Sequence, residues 1–178
     1  MIKKFYIILF LLFLSCASAE KNDNNADVLA ITEEAVSNEE LIKICEEWKL
    51  GTEINILNLN TLHSQFLEDL GDYNMYQLTD QEFENKVSKY LYRARGYKGM
   101  QSDLVNNFPE IQGNNLITHE VAVDMFEEAI KAMENYKIYI QTKSDNSFNT
   151  GRSYLDNAKD LQNLALQNLL EKKSNCNL

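Results

Sequence analysis

Residues 118–140, THEVAVDMFEEAIKAMENYKIYI, decide the fold class. Their apolar side chains recur in alternating steps of four and three residues, which is the spacing of one face of an α-helix. Acidic residues occur early in the segment and lysines later, as the helix dipole favours. The segment therefore predicts a long helix that begins at Thr118 and buries one face, made of Ala122, Phe126, Ala129, Met133, Tyr136 and Ile140.

Similar apolar stripes on both sides of this segment predict further helices. They cover residues 37–51, 54–70, 79–96 and 152–172, with Gly51, Gly71, Gly96 and Gly151 as their boundaries. Ser37 with Glu40 and Thr79 with Glu82 form capping boxes, which mark helix starts. Residues 96–115 predict an irregular connector with a short helix at 102–107. The sequence thus predicts an all-α bundle of four to five helices over residues 37–178, after a flexible N-terminal leader.

Composition limits the class of protein. Among 178 residues, 27 are acidic and 17 are basic, which gives a formal net charge of -10. The apolar fraction of 44% is sufficient for a hydrophobic core. A nucleic-acid partner is disfavoured, because binding to phosphates depends on an excess of Lys and Arg.

The N-terminus has the layout of a secretory signal peptide. Lys3 and Lys4 precede an apolar run at residues 5–14, and small residues follow. That run is too short to cross a bilayer, which takes about 20 residues. Ala17-Ser18-Ala19 predicts cleavage before Glu20, which makes residues 1–19 the signal peptide and residues 20–36 a polar tether.

A second cleavage site competes with this one. Phe13-Leu14-Ser15-Cys16 resembles the lipobox of bacterial lipoproteins. This resemblance implies that residues 1–15 are removed and that Cys16 is lipidated and anchored to a membrane. The two cleavages stay open as alternatives, and both predict export to the cell envelope.

The two other cysteines predict a disulfide. Cys45 and Cys176 remain after either cleavage, and exported proteins commonly pair their cysteines. A bridge between them would close most of the mature chain into one loop. The chain-entropy model gives about 4–5 kcal/mol for a loop of that length.

A predicted loop carries aromatic residues among acids. The candidate partner-binding residues are Asp72, Tyr73, Met75, Tyr76 and Asp80. Tyrosine is enriched at interface hot spots, because it buries a large area at low cost in conformational entropy. The alternative is that the tyrosines fold back over the bundle as a lid.

Five bases and no acids lie between residues 86 and 98, directly after an acidic segment at 68–84. Lys86, Lys89 and Arg93 fall on one helical face together with Tyr90, which makes these four residues a candidate anion-binding site. The alternative is a solvated helix face that neutralises the acidic segment within the same fold.

No catalytic motif is present: H-E-x-x-H, G-x-S-x-G and phosphate-binding glycine loops are all missing from the sequence. We therefore expect no enzyme, no cofactor and no metal site, and we interpret His63 and His119 as structural. The expected function is protein binding at the bacterial envelope. Two alternatives are a soluble periplasmic immunity or inhibitor protein that neutralises a basic secreted enzyme, and a bundle that binds a small ligand. The oligomeric state stays open.

The intact mass of the mature protein distinguishes the two cleavages. An acylated chain that begins at Cys16 means a lipoprotein, and a chain that begins at Glu20 means a soluble exported protein. In both cases we expect reduction to add the mass of two hydrogen atoms, because Cys45 and Cys176 are predicted to be joined. An unchanged mass on reduction would show that this pairing is wrong.

Overall fold

The computed structural model describes residues 37–109 and 113–171. The all-α prediction is confirmed: the described residues form four helices and contain no strand. The helices are α1 (Asn38–Asn74), α2 (Asp80–Asn107), α3 (Gly113–Thr142) and α4 (Asp145–Glu171). None of these helices combines the length and the apolar content that a membrane crossing needs. The expectations for residues 1–36, with Cys16, and for Cys176 lie outside the described residues.

The two predicted capping residues begin their helices. The Ser37 hydroxyl accepts a hydrogen bond from the Glu40 backbone N–H at 3.2 Å, directly before α1. Before α2, the Glu82 N–H donates to the Thr79 hydroxyl at 3.3 Å, and the Thr79 N–H donates to the Glu82 carboxylate at 2.9 Å. These bonds satisfy backbone donors that a helix start otherwise leaves unpaired.

The predicted break at Gly51 is wrong. α1 continues through Gly51 and Gly71 to Asn74, so two predicted helices are one. A helical glycine costs only about 1 kcal/mol, which packing can offset. At Gly51 the reason is close packing, since an added Cβ would lie 3.0 Å from Leu104 Cδ2 on α2.

The predicted boundaries of the other helices are also corrected. α2 continues through Gly96 and Gly99 to Asn107, so most of the predicted connector is helical. Thr118 does not begin α3, which starts at Gly113, and its side chain is buried within the helix. Similarly, α4 starts at Asp145, so Gly151 is an internal residue rather than a boundary.

Gly151 packs closely against the ring of Tyr136. An added Cβ at Gly151 would lie 3.1 Å from the Tyr136 ring and 3.3 Å from the Ala132 carbonyl oxygen. These contacts are tight, so a side chain at this position would require the tyrosine ring or the α3 backbone to shift.

The core fills the space between all four helices. Each helix packs mainly on its sequence neighbours, and the α3–α4 interface is the most extensive, whereas α1 makes little contact with α4. The ring of Phe66 lies 6.1 Å from that of Phe83, 5.7 Å from that of Tyr90 and 4.9 Å from that of Tyr136. The predicted stripe of α3 is confirmed as core: Ala122, Phe126, Ala129, Met133, Tyr136 and Ile140 are all buried.

The glycines allow a test of these packing roles. Gly96 and Gly99 have nothing within 4 Å of an added Cβ, so Gly96→Ala and Gly99→Ala should each raise the free energy of unfolding by about 0.5–1 kcal/mol. Gly151→Ala should lower it by about 1 kcal/mol or more, because the Tyr136 ring has to shift. Urea unfolding of the three variants measures both effects, and a gain in Gly151→Ala equal to that in Gly96→Ala would contradict the close packing.

Candidate functional site

Lys143 joins the α1–α2 loop to the α3–α4 turn at one end of the bundle. Its ammonium donates hydrogen bonds to the Asp80 carboxylate and to the Tyr73 hydroxyl, the latter at 2.5 Å. The Tyr73 hydroxyl in turn donates to Asp80 Oδ1 at 2.7 Å. Lys143 also lies over the Tyr73 ring, 5.2 Å from its centroid. Together with Met75 and Tyr76, these residues form what we call the loop end.

The charges of this cluster are fixed by its hydrogen bonds. The bond from Lys143 lowers the pKa of the Asp80 carboxyl, and the same bond raises the pKa of the Lys143 ammonium. Burial raises the pKa of the Tyr73 hydroxyl, and its bond to Lys143 opposes that shift. Each shift favours the ordinary protonation state at neutral pH, so the cluster acts as a clamp between two loops rather than as an acid–base pair.

The two predicted interface tyrosines have opposite orientations. Tyr73 stacks on Phe83 with ring centroids 4.4 Å apart, as the lid interpretation expects. Tyr76 is 96% exposed and Met75 is 62% exposed, so both project into solvent. Asp72 is half-buried, and its backbone carbonyl accepts from the Gln77 N–H at 2.8 Å. The structure therefore places Tyr73 and Asp80 in the clamp and leaves Met75 and Tyr76 as the outward pair.

Tyr76 holds an unusual backbone conformation. Its φ of 60° lies in the left-handed region, which costs a non-glycine residue about 1–2 kcal/mol. Its N–H bonds the Tyr73 carbonyl at 3.0 Å, which fixes the turn. An exposed aromatic side chain held at such a cost gains little within the fold, and strained residues of this kind concentrate at functional positions.

The candidate anion-binding residues line one groove. Lys86, Lys89, Tyr90 and Arg93 face an opening of about 590 Å³ on the side of α2. Asp69 already accepts hydrogen bonds from Lys86, at 2.8 Å, and from the Tyr90 hydroxyl. Burial, followed by that bond to Asp69, raises the pKa of the Tyr90 hydroxyl.

Arg93 has polar partners as well. It donates to Gln65 Oε1 at 3.2 Å and to the Tyr97 hydroxyl at 3.4 Å. Lys89 alone among the three candidate cations makes no hydrogen bond or ion pair within residues 37–109 and 113–171. Lys89 is thus the cation of this groove that an incoming anion could pair with directly. Lys86 is already paired with Asp69 on α1.

A buried polar cluster was missed at the sequence level. It connects α1, α2 and α3 and consists of Thr52, Asn55, Gln101 and His119, all 6% exposed or less. The Asn55 amide donates to Gln101 Oε1 at 3.1 Å, and Gln101 Nε2 donates to the Thr52 hydroxyl at 3.3 Å. Gln101 Nε2 also lies 3.1 Å from His119 Nδ1, so that nitrogen accepts and the ring is neutral. Thr52 and Asn55 interrupt an apolar stripe of α1. This interruption is the feature of the sequence that could have revealed the cluster.

No group of three His, Cys, Asp or Glu side chains in the described part of the chain is placed to hold a metal ion. Comparisons with protein-family models, with curated proteins and with solved structures found no match. Conclusions about function therefore depend on the geometry described above.

The neutral histidines predict acid sensitivity. Burial lowers the pKa of His119 from 6.5, an effect that Glu120 only partly opposes. Burial and then Lys159 lower the pKa of His63, and Asp156 opposes them. Because the unfolded chain takes up these protons first, their stabilising contribution is present above about pH 6.5 and is lost as the pH falls.

Urea unfolding at about pH 7.5 and pH 5.5 measures this loss, which is at most about 1.4 kcal/mol per pH unit for each histidine. His119→Gln, which cannot titrate, should reduce the difference between the two conditions, and His63→Gln is the matched comparison. A difference that is unchanged in both variants would show that neither ring titrates with folding.

Proposed function

We propose that this chain is an exported bacterial envelope protein that binds a protein partner through the loop end. The observation that carries the proposal is Tyr76, a 96% exposed aromatic residue in a left-handed conformation, next to the exposed Met75. Aromatic side chains and methionine are enriched in interface cores, where they bury apolar area against a partner.

The clamp supports this assignment, because it holds the exposed pair on a rigid base. Tyr73 is fixed by its contacts with Phe83, Lys143 and Asp80. The exposed Met75 and Tyr76 follow it two and three positions later in the chain. A preorganised contact residue loses less conformational freedom on binding, which improves affinity for a given contact area.

The charge of the chain indicates what kind of partner would associate quickly. A net charge of -10 favours a partner with a basic surface, because electrostatic attraction steers the encounter of opposite charges. A basic secreted enzyme fits this description, and so does a basic surface of another envelope protein.

Compartment and covalent structure belong to the same proposal. The signal-peptide pattern supports export, and Cys16 supports a lipid anchor when the chain is cut before it. Cys45 is 4% exposed on α1, with the Asn115 amide nitrogen 3.8 Å from its sulfur. A buried position of this kind suits one half of the proposed bridge to Cys176.

Site-specific photo-crosslinking tests the proposed surface. We expect a photo-reactive aromatic residue at position 76 to give a discrete adduct in the cells that make the protein. Position 92 is the matched control, because Tyr92 is also an exposed tyrosine, at 80%, but lies on α2. An adduct at position 92 in place of 76 would assign the contact to the basic groove instead.

Affinity for the partner identified in this way gives the quantitative test. Tyr76→Ser should weaken binding by roughly 30-fold or more, which is the effect of losing a hot-spot side chain. Tyr92→Ser should leave the affinity unchanged, and added salt should slow association. Equal effects of the two serine variants would contradict the assignment to the loop end.

A further inference from the structure

A second groove lies between α1 and α4, which make little contact with one another. It encloses about 330 Å³, which is at the lower end of the range of roughly 300–1,000 Å³ that holds small ligands. Its apolar surface is formed by Leu67, Leu70, Phe148 and Leu155. Leu67 remains 48% exposed although it lines this groove, so the folded chain leaves apolar area there uncovered.

Tyr136 places a hydroxyl in this groove without a partner. Its side chain is 1% exposed and lines the groove. Its ring is fixed by Phe66 at 4.9 Å, by Phe148 at 5.6 Å and by the backbone of Gly151. No hydrogen bond reaches the Tyr136 hydroxyl from residues 37–109 or 113–171. A hydroxyl that lines a groove and has no protein partner is open to an acceptor brought by a ligand.

The Tyr136 hydroxyl keeps its proton at physiological pH and can donate it in a hydrogen bond. Burial raises the pKa of Tyr136 to about 12, with Arg152 opposing and Asp156 assisting the shift, so the hydroxyl is a neutral donor at physiological pH. Arg152 and Asp156, on α4, line the same groove as Tyr136.

The rim carries more positive than negative charge. Arg152 and Lys159 are exposed on α4, seven residues apart and therefore on one face of the helix. Neither makes an ion pair with any residue that the structure describes. Asp156 lies between them, which leaves a rim with one excess positive charge in a chain of net charge -10.

We propose that the α1–α4 groove binds a small amphipathic monocarboxylate. Its carboxylate accepts hydrogen bonds from the Tyr136 hydroxyl and the Arg152 guanidinium, and its apolar body lies on Leu70, Phe148 and Leu155. One excess cation matches a singly charged head group, and a planar carboxylate fits the paired donors of arginine. The proposal is independent of the loop end, because neither Tyr136 nor Arg152 belongs to that surface.

Calorimetric titration of the purified protein with octanoate tests this site. We expect saturable binding of octanoate and much weaker binding of octan-1-ol, which has the same chain and no charge. Arg152→Gln should weaken octanoate binding by roughly tenfold or more, since it removes a hydrogen bond to a charged group. Tyr136→Phe should weaken it by about fivefold, the effect of losing a single hydroxyl donor.

A matched pair of variants separates the groove from the general surface. Leu67→Glu places a carboxylate in the groove and should abolish octanoate binding, whereas Leu50→Glu, on the same helix and 58% exposed, should not alter it. Arg152, Leu67 and Leu50 are exposed, so these variants should fold normally, as thermal melting by circular dichroism verifies.

Three outcomes overturn the proposal. The first is no heat of binding for octanoate, and the second is equal affinity for octan-1-ol. The third is an affinity for octanoate that is unchanged in both Arg152→Gln and Leu67→Glu.

Discussion

The arrangement of the bundle depends on the close approach of α3 and α4. Both helices carry several small buried residues, which are Gly151, Ala158 and Ala165 on α4 and Ala122, Ala129 and Ala132 on α3. The seven-residue spacing of the small residues on α4 keeps them on one side of the helix, so the two backbones lie near one another along their length. Space is left for one large ring at Gly151, and Tyr136 fills it. The position of that ring then determines where Phe66 and Phe148 can pack.

The remaining helices are joined to this pair in different ways. Towards the loop end, α1 and α2 pack through aromatic rings. The Lys143 clamp joins this end of α1 and α2 to the α3–α4 turn. Towards the other end, the contacts of α1 and α2 with α3 pass through the amide and imidazole groups of Asn55, Gln101 and His119. Apolar contacts tolerate small shifts, whereas directional hydrogen bonds do not, so the polar cluster fixes the register of three helices. The α1–α4 contact has a single buried hydrogen bond among the described residues, from Gln162 Nε2 to the Ile56 carbonyl oxygen at 3.4 Å, and the groove lies beyond it towards the loop end.

The sequence predicted most of the fold because the apolar stripes are long and regular. The stripe of α3 and the caps at Ser37 and Thr79 are correct to the residue. Apart from the start of α3 at Thr118, the errors occur at glycines, because Gly51 and Gly151 pack against Leu104 and Tyr136, which lie on other helices. Local pattern cannot distinguish a glycine that ends a helix from one that accommodates a neighbour.

The same reasoning explains what could be predicted of the candidate site. The aromatic loop was visible as a cluster of side chains, but the opposite orientations of Tyr73 and Tyr76 depend on Phe83, on Lys143 and on one left-handed φ. The common face of Lys86, Lys89 and Arg93 followed from helical spacing, whereas the ion pair of Lys86 with Asp69 and the hydrogen bond of Arg93 to Gln65 required the packing of α1 on α2. The Tyr136 side chain at the α1–α4 groove has no local signature, since the residue occupies an ordinary core position in its stripe.

The single tryptophan gives the protein an internal optical reporter. Trp48 is fully buried, and its indole nitrogen is the buried polar side-chain atom that has no hydrogen-bond partner in the described part of the chain. Indole emission shifts to longer wavelengths in polar, mobile surroundings, so the folded protein should emit at short wavelength. Trp48 lies about 39 Å along the α1 axis from Asn74, at a rise of about 1.5 Å per residue. Its fluorescence therefore follows the integrity of the end that contains the polar cluster, and events at the loop end leave the emission unchanged unless the whole bundle opens.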